Sequence, residues 1–443
     1  MRIQSPGWHD SLGALQWFVY LLVYSIPIPI VIGGLYHLPA TEVEGLMQRT
    51  FLVAGASTVL QGVFGHRRPI IDGPAGIWLS VFVILGDMAL RSGGDPANTL
   101  SLLTGGMMLA GIALLLISRV AHRFAGWFTP LVTGSFMLLL SIQLGGVFLK
   151  GMLGAGHGPL TSTNALPGLI AIGVFLFVFG LSVWGKGWWK SYAVLIGIAV
   201  GWLVFFCLGL RPMSVANLIW FRLPEVFVWG APHLDLGMAI AVFPLILMVL
   251  SSTMAATESM DQVLEKQVEE DPKHVFRSTA VSGVTHLLSA SFSTVGIVPL
   301  GGSAGYVRMT GHRRIAPFLI GGLIMACLSF MPAVIGVLTM LPAPVAYAVE
   351  LAAFVPMVGL GVRAIMREPM TERRLTILGV TLLVGTSLLF LPADTFASAP
   401  AIVQYIAGNG LLVGVLIVLI LERIWEEPDS KGKKSSLKSS MKC

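Results

Sequence analysis

Gly73-Pro-Ala-Gly-Ile-Trp78 and Gly302-Ser-Ala-Gly-Tyr-Val307 share a G-x-A-G core. Each lies in a charge-free run of awkward length. Residues 73–86 give 14 positions between Asp72 and Asp87, short of the about 20 apolar residues a spanning helix needs. Residues 278–307 give 30 positions, too many for one helix and too few for two with a loop. The first run reads as a short, broken span. The second reads as a full helix followed by a broken segment at Pro299-Leu-Gly-Gly-Ser-Ala-Gly305.

The rest of the chain sets these segments in a membrane. Of 443 residues, 55% are hydrophobic and 11% charged, against about 25% charged in soluble proteins. The mean hydropathy of +0.83 leaves too little polar surface to clothe a soluble core. A soluble enzyme, a disordered chain and a nucleic-acid binder are therefore excluded. Cys207, Cys327 and Cys443 show no paired spacing, so no disulfide framework, metal site or cofactor is expected. No cleavable signal peptide is expected, because the run 11–41 is too long for one.

Charge-free runs at 11–41, 50–66, 96–118, 124–149, 191–210, 236–257, 375–393 and 395–421 each hold one span. The run 151–185 holds a loop and a helix from about Pro167. The run 315–349 holds one helix and begins another at Leu341 that continues past Glu350 to Val362. With the broken segments the count is fourteen. With the N-terminus inside, Arg49, Arg91, Lys150, Arg211 and Arg222 face out, and the other 23 of 28 Lys and Arg face in. This strong bias places both termini in the cytoplasm. The fold class is thus an all-α polytopic membrane protein. Fourteen spans divide seven and seven, and an odd number per half makes the repeat inverted, as in many secondary transporters. The two G-x-A-G motifs fall in span 3 and span 10, at matching places in the two halves.

Broken helices leave backbone groups without partners, which lipid does not tolerate, so this backbone must face protein or a wet cavity. Half-helix N-termini also offer free donors and partial positive charge. A polar ligand near the midplane would satisfy both. The alternative is that these glycines only allow close helix packing.

At these residues the chain resembles the nucleobase–cation symporter-2 family, the nucleobase–ascorbate transporters, over nearly its whole length. Leu15-Gln16-Trp17, Phe128-Thr-Pro-Leu-Val-Thr-Gly134, Gly302-Ser303-x-Gly305-x-x-x-x-Thr310-Gly311 and Leu341-Pro-Ala-Pro-Val345 with Gly361-Val-Arg363 carry the likeness. Gly65-His-Arg-Arg-Pro-Ile-Ile-Asp-Gly-Pro74, Phe148-x-Lys-Gly-Met-Leu153 and Asn409-Gly-Leu-Leu-Val-Gly414 resemble a divergent bacterial subgroup of uracil/xanthine and purine permeases. The resemblance implies a core domain of spans 1–4 (1–125) and 8–11 (235–340). It also implies a gate domain of spans 5–7 (126–212) and 12–14 (341–423), and a cytoplasmic tail (424–443). A homodimer in the cell membrane is implied, with a nucleobase bound between spans 3 and 10 and driven by H+ or Na+.

Residue by residue, the resemblance implies a substrate site at Tyr24, Gly76, Ser252, Gly301, Gly302 and Ser303. The chain departs from the family at key places. Ser252 stands where span 8 supplies a Glu, and Gly302-Ser303 where span 10 supplies Glu or Gln before Asn. Trp17 replaces a span-1 His, and Gly76 replaces the span-3 aromatic, with Trp78 two residues on. Ser252 either bonds a base edge or its own helix carbonyls. Asp72, an acid at the mouth of broken span 3, is a coupling candidate or a cytoplasmic-interface acid paired with Arg67 or Arg68. Glu350, an acid well inside a gate span, either serves coupling or pairs with a loop cation. Glu258 and Asp261 read as interfacial, His286 as a packing residue, and the other histidines as loop or interface residues.

Uptake of a neutral nucleobase, uracil or a purine such as xanthine, with a coupling cation, H+ by this reading, is the leading function. The alternative is an anion transporter of the same architecture, since two helix dipoles without carboxylates suit an anion. No catalytic constellation is expected.

Overall fold

The computed structural model describes residues 8–92, 96–154, 162–210, 219–234, 236–265, 272–391, 393–396, 399, 403 and 406–425. Arg211, the charged loop 266–271 and the tail from 426 lie outside the described residues.

The chain is built from helices. The first half runs α1 (Trp8–Ser25), α2 (Pro27–Leu35), α3 (Ala40–Val63), strand β1 (Asp72–Pro74), α4 (Gly76–Ser92) and α5 (Pro96–Ile117). Then come α6 (Ala121–Phe124), α7 (Pro130–Leu153), α8 (Ser162–Trp184), α9 (Trp188–Ser191) and α10 (Ala193–Cys207). The second half runs α11 (Leu236–Leu264), α12 (Pro272–Ser291), strand β2 (Ile297–Pro299), α13 (Gly302–Thr310) and α14 (Ile315–Leu328). It closes with α15 (Pro332–Leu338), α16 (Ala343–Ile365), α17 (Glu372–Leu388) and α18 (Gly410–Ile424). Six described helices or helix pairs are long and apolar enough to cross a membrane, or seven if α14 and α15 count as one bent span.

Several boundaries differ from the charge-free runs, each for a local reason. The run 11–41 is interrupted between α1 and α2, where Pro27 and Pro29 supply no N–H to the preceding turn. There Ser25 Oγ donates to the Leu21 carbonyl at 2.9 Å. Helix α3 begins ten residues before the run 50–66, so Glu42, Glu44 and Arg49 are helical; Arg49 is buried and its Nε donates to the Ser293 carbonyl at 3.2 Å. The run 315–349 bends by 96° between α14 and α15, ahead of Pro332. Helix α8 carries Pro167 inside it rather than at its start.

Packing sorts the helices into two groups. Helices α1, α3, α5, α11, α12 and α14 pack on one another and on the strands, and α7, α8, α10, α16, α17 and α18 form a second group. The groups meet where α2 packs on α16, α4 on α7 and α11 on α18. Glycine permits the closest crossings. A Cβ on Gly111 of α5 would lie 2.9 Å from the Gly283 carbonyl oxygen of α12, and one on Gly134 of α7 would lie 2.6 Å from that of Gly361 on α16. Small residues let apolar helices gain dispersion where lipid removes the hydrophobic driving force.

Strands β1 and β2 pair antiparallel, with Asp72 opposite Pro299, Gly73 opposite Val298 and Pro74 opposite Ile297. All six residues are buried. Two short strands leave edges that lipid could not satisfy, and side chains supply the missing partners. Asp72 N–H donates to Thr58 Oγ1 at 3.0 Å, and Ile71 N–H donates to Ser303 Oγ at 3.1 Å. Leu300 N–H donates to the Ile71 carbonyl at 2.9 Å, and Ala75 N–H to that of Gly296 at 3.0 Å. Each strand leads directly into a helix, α4 after β1 and α13 after β2. Antiparallel pairing sends these two helices away in opposite directions.

Candidate functional site

The turn between β2 and α13 contains Gly301 and Gly302, both exposed at this point of a largely buried region. No described residue lies within 4 Å of a Cβ placed on Gly301. A Cβ on Gly302 would come within 3.0 Å of the Tyr20 hydroxyl and 3.6 Å of the Tyr24 hydroxyl. Two phenols of α1 therefore converge where the resemblance implies a carboxylate. The ring of Tyr20 stacks on Tyr306 of α13, centroids 4.3 Å apart at 22°, and meets the Tyr24 ring edge-on at 5.0 Å. Trp17 lies 4.6 Å from Tyr306 and 5.3 Å edge-on from Phe318. It is buried as a packing residue, which is why an indole can stand in the place of a span-1 histidine.

Ser303 is buried, and its hydroxyl is engaged with Ile71 N–H. It clamps one strand–helix unit to the other. Gly76, the first residue of α4, faces the second helix group: a Cβ there would come 3.0 Å from Phe354 of α16 and 3.4 Å from Leu144 of α7. Trp78 does not substitute for an aromatic at Gly76. Its indole is fully buried against Gly296, and its Nε1–H donates to His286 Nε2 at 2.9 Å. His286 bonds the Ser282 carbonyl through Nδ1 at 2.7 Å. With Nε2 accepting, Nδ1 carries the proton, so both ring nitrogens are satisfied.

Ser252 is half-buried on α11, which packs against β2 and α13. Its hydroxyl makes no hydrogen bond among the described residues, whereas neighbouring Thr253 Oγ1 bonds back to the Val249 carbonyl at 2.8 Å. Glu350 is 8% exposed on α16 and has no ion-pair partner among the described residues, so the loop-cation alternative is not what the structure holds. It lies within electrostatic reach of Tyr24.

Asp72 corrects the expectation of an arginine partner. It is fully buried, and Ser57 Oγ donates to its Oδ2 at 2.5 Å. Its Oδ1 faces His66 Nε2 at 3.9 Å, beyond hydrogen-bond range. Arg68 instead forks onto Asp261 at 2.6 and 2.8 Å, and Arg67 Nε donates to the Val63 carbonyl at 3.0 Å. Asp261 and His66, read from sequence as interfacial, are both buried. Burial follows from α3 running on to Val63, which folds residues 64–71 back against α3 and α12. Exposed Glu258 keeps a loose contact with Arg367 at 4.0 Å.

The sequence around these two strand–helix units matches a known family over most of its length. The model of the xanthine and uracil permeases, described as the Permease family, matches residues 9–394. The chain belongs to this permease family. Among its relatives, YwdJ of Bacillus subtilis is 28% identical over 437 residues, covering 96% of this chain and 98% of that protein. The xanthine permease of Bacillus subtilis is 23% identical over 441 residues, covering 96% and 95%. The transmembrane domain of a cyanobacterium bicarbonate transporter, BicA, shares the fold, with a TM-score of 0.62 at 14% identity, covering 94% of this chain and 98% of that one. This permease is therefore an integral membrane transporter, not an enzyme. The anion alternative is not favoured: likeness to the bicarbonate transporter extends to fold alone, whereas sequence places the chain among permeases for nucleobases.

Tyr20, Tyr306, Phe354, Ser57 and His66 border the candidate positions and were not singled out from sequence. Trp17, Tyr20 and Tyr24 recur at i, i+3 and i+7 on one face of α1, a stripe that reads equally as packing.

Proposed function

We propose that this permease takes up a nucleobase, uracil or a purine such as xanthine, together with a coupling proton, across the cell membrane. The observation that carries this reading is the open Gly301–Gly302 turn. It lies beneath the hydroxyls of Tyr20 and Tyr24, with Gly76, Phe354 and Glu350 at the meeting of the two helix groups. Aromatic faces suit a planar base. Phenol hydroxyls can donate to its carbonyls and accept from its ring N–H groups. In this reading Tyr24, Gly76, Ser252, Gly301 and Gly302 line the substrate, Ser303 holds the turn in place, and Asp72 and Glu350 are the coupling candidates.

The helix groups support a core of 1–125 and 235–340 moving against a gate of 126–212 and 341–423. The antiparallel strand pair supports fourteen spans in a seven-plus-seven inverted repeat. Both termini lie in the cytoplasm, and a homodimer steadies the gate. The test is uptake of labelled xanthine and uracil into proteoliposomes under an inward proton gradient. Accumulation above equilibrium is expected. No nucleobase uptake, alongside bicarbonate or sulfate uptake, overturns the reading.

A further inference from the structure

The segment leading into β1 holds two polar atoms that have no hydrogen-bond partner among the described residues and face each other inside the protein. Asp72 Oδ1 and His66 Nε2 are 3.9 Å apart, both side chains are fully buried, and neither atom has a hydrogen-bond partner among the described residues. Unsatisfied buried polar atoms are costly and scarce in native structures, and a pair of them aimed at each other calls for an explanation. The remaining bonds of both residues fix their chemistry. Asp72 Oδ2 accepts from Ser57 Oγ, and Asp72 N–H donates to Thr58 Oγ1. His66 Nδ1 accepts from Arg68 N–H at 3.1 Å, so its ring proton sits on Nε2, pointing at the carboxylate.

We propose that Asp72, gated by His66, is the proton-binding group of this permease, taking the place of the carboxylates absent at Ser252 and Gly302. This rests on the transport reading above. An arriving proton binds Asp72 Oδ1 and neutralises the acid. Loss of the proton leaves a carboxylate that draws the Nε2–H inward across the 3.9 Å gap. The bond from Arg68 N–H to Nδ1 holds the ring so that its Nε2–H stays aimed at the carboxylate.

Geometry links the pair to the turn. Ile71, next to Asp72, is tied to the 300–303 segment from both sides, its N–H to Ser303 Oγ and its carbonyl to Leu300 N–H. Movement of Asp72 therefore reaches Gly301 and Gly302 through one residue. Other charges nearby are paired among themselves. Arg68 donates to the His66 carbonyl at 2.6 Å and to Asp261, and His274 bonds the same carbonyl at 2.8 Å and touches Arg68. From α3 the pair meets Ser57, Thr58 and the amide of Gln61; from α12, Ser278 and Ser282 lie on Gln61; β2 is aliphatic; the phenols Tyr20 and Tyr24 of α1 lie at Gly302 instead.

The experiment uses the full chain in proteoliposomes, with Asp72→Asn and His66→Gln. At one proton per substrate, a pH step of one unit supports about tenfold accumulation. Wild type is expected to reach it for xanthine or uracil without sodium. Asp72→Asn is expected to fall to simple equilibration while counterflow of the same substrate persists. His66→Gln is expected to shift the pH midpoint of uptake. Accumulation by Asp72→Asn equal to wild type, or an unmoved midpoint in His66→Gln, overturns the proposal. Infrared pH-difference spectra of the purified protein give a readout independent of substrate. A protonated-carboxyl band titrating in wild type and missing in Asp72→Asn supports the assignment, even if no nucleobase is transported. The same band in both proteins, or in neither, overturns it. If Asp72→Asn does not fold, the His66→Gln midpoint and the shift of that band in His66→Gln decide in the same way.

Discussion

The two G-x-A-G units share a sequence core and a strand–helix form, yet their surroundings differ. The unit of β1 and α4 is locked. Trp78 fills the space over Gly296, its indole is bonded to His286, and Gly76 abuts Phe354 and Leu144. The unit of β2 and α13 is open: among the described residues, Gly301 and Gly305 have nothing within 4 Å of a Cβ, and Gly302 meets only hydroxyl tips. One motif thus serves two physical roles. In the first half it is an anchor that fixes where the strands pair. In the second half it leaves backbone accessible beneath an aromatic stack. The difference comes from the aromatic residue just past the glycines, Trp78 bonded to His286 in one unit and Tyr306 stacked on α1 in the other.

The locked unit should break hardest. A Cβ at Gly296 would lie 2.1 Å from the Trp78 ring, with no flexible side chain between to yield. Gly296→Ala is expected to drive Trp78 off His286 and destabilise the protein by about 1–3 kcal/mol, the usual cost of overpacking. Thermal unfolding in detergent should show a lowered Tm, and uptake should fall with it. An unchanged Tm would mean that Trp78 is not pinned.

The clamp between the units comes next. Ser303→Ala removes the acceptor for the buried Ile71 N–H, which costs about 1–3 kcal/mol when a donor is left unpaired. Both Tm and uptake should fall, whereas Ser252→Ala, which removes a hydroxyl with no bond among the described residues, should leave Tm within about 0.5 kcal/mol equivalent. If Ser252 lines the substrate, its variant raises KM at unchanged Tm. Equal Tm losses in the two variants would erase the distinction between clamp and lining.

In the open unit, function should respond before stability. Gly302→Ala places a methyl at the Tyr20 hydroxyl, and a hydroxyl tip can give way by a few tenths of an ångström. Tm should stay within about 0.5 kcal/mol equivalent, while KM for xanthine rises. Tyr20→Phe removes the crowded oxygen. In the double variant the steric part of the loss should disappear and the lost hydrogen bond remain. A KM unmoved by Gly302→Ala would take this glycine out of the site.

Much of this contrast is legible in the chain. Low charge and the Lys/Arg distribution point to the membrane, and awkward length singles out 73–86, too short for a span, and 278–307, too long for one, each of which lies at or holds a short strand followed by a helix. Contact across long separations lies beyond sequence reading. A neighbouring arginine suggests itself as the partner of Asp72 because Arg67 and Arg68 are close in sequence and carry charge. The structure turns Arg68 toward Asp261, 193 positions away, and leaves His66 facing Asp72. Trp78 reads as an available stacking ring because its partner His286 lies 208 positions off. The Tyr20–Tyr306 stack joins α1 to α13 and has no local signature at all. Helix breaks at Pro27 and Pro332 are visible residue by residue, yet a proline inside α8, at Pro167, is accommodated.

Gly305 offers the smallest effect and the finest discrimination. It lies one turn after Gly302 in α13, is exposed, and has open space around a Cβ. Alanine is favoured over glycine inside a helix by up to about 1 kcal/mol. Gly305→Ala should therefore raise Tm slightly. Its effect on transport tells what the open space is. If the aperture between the helix groups narrows at Gly305 during transport, a methyl there slows kcat even as the ground state gains stability. If the ligand-facing part ends at Gly302, KM and kcat stay unchanged and only Tm moves. The second result is expected, because the phenols of Tyr20 and Tyr24 reach Gly302 and not Gly305. A rise in Tm with a fall in kcat would instead extend the moving surface a full turn along α13, making openness, rather than contact with tyrosine, the property that marks the functional face.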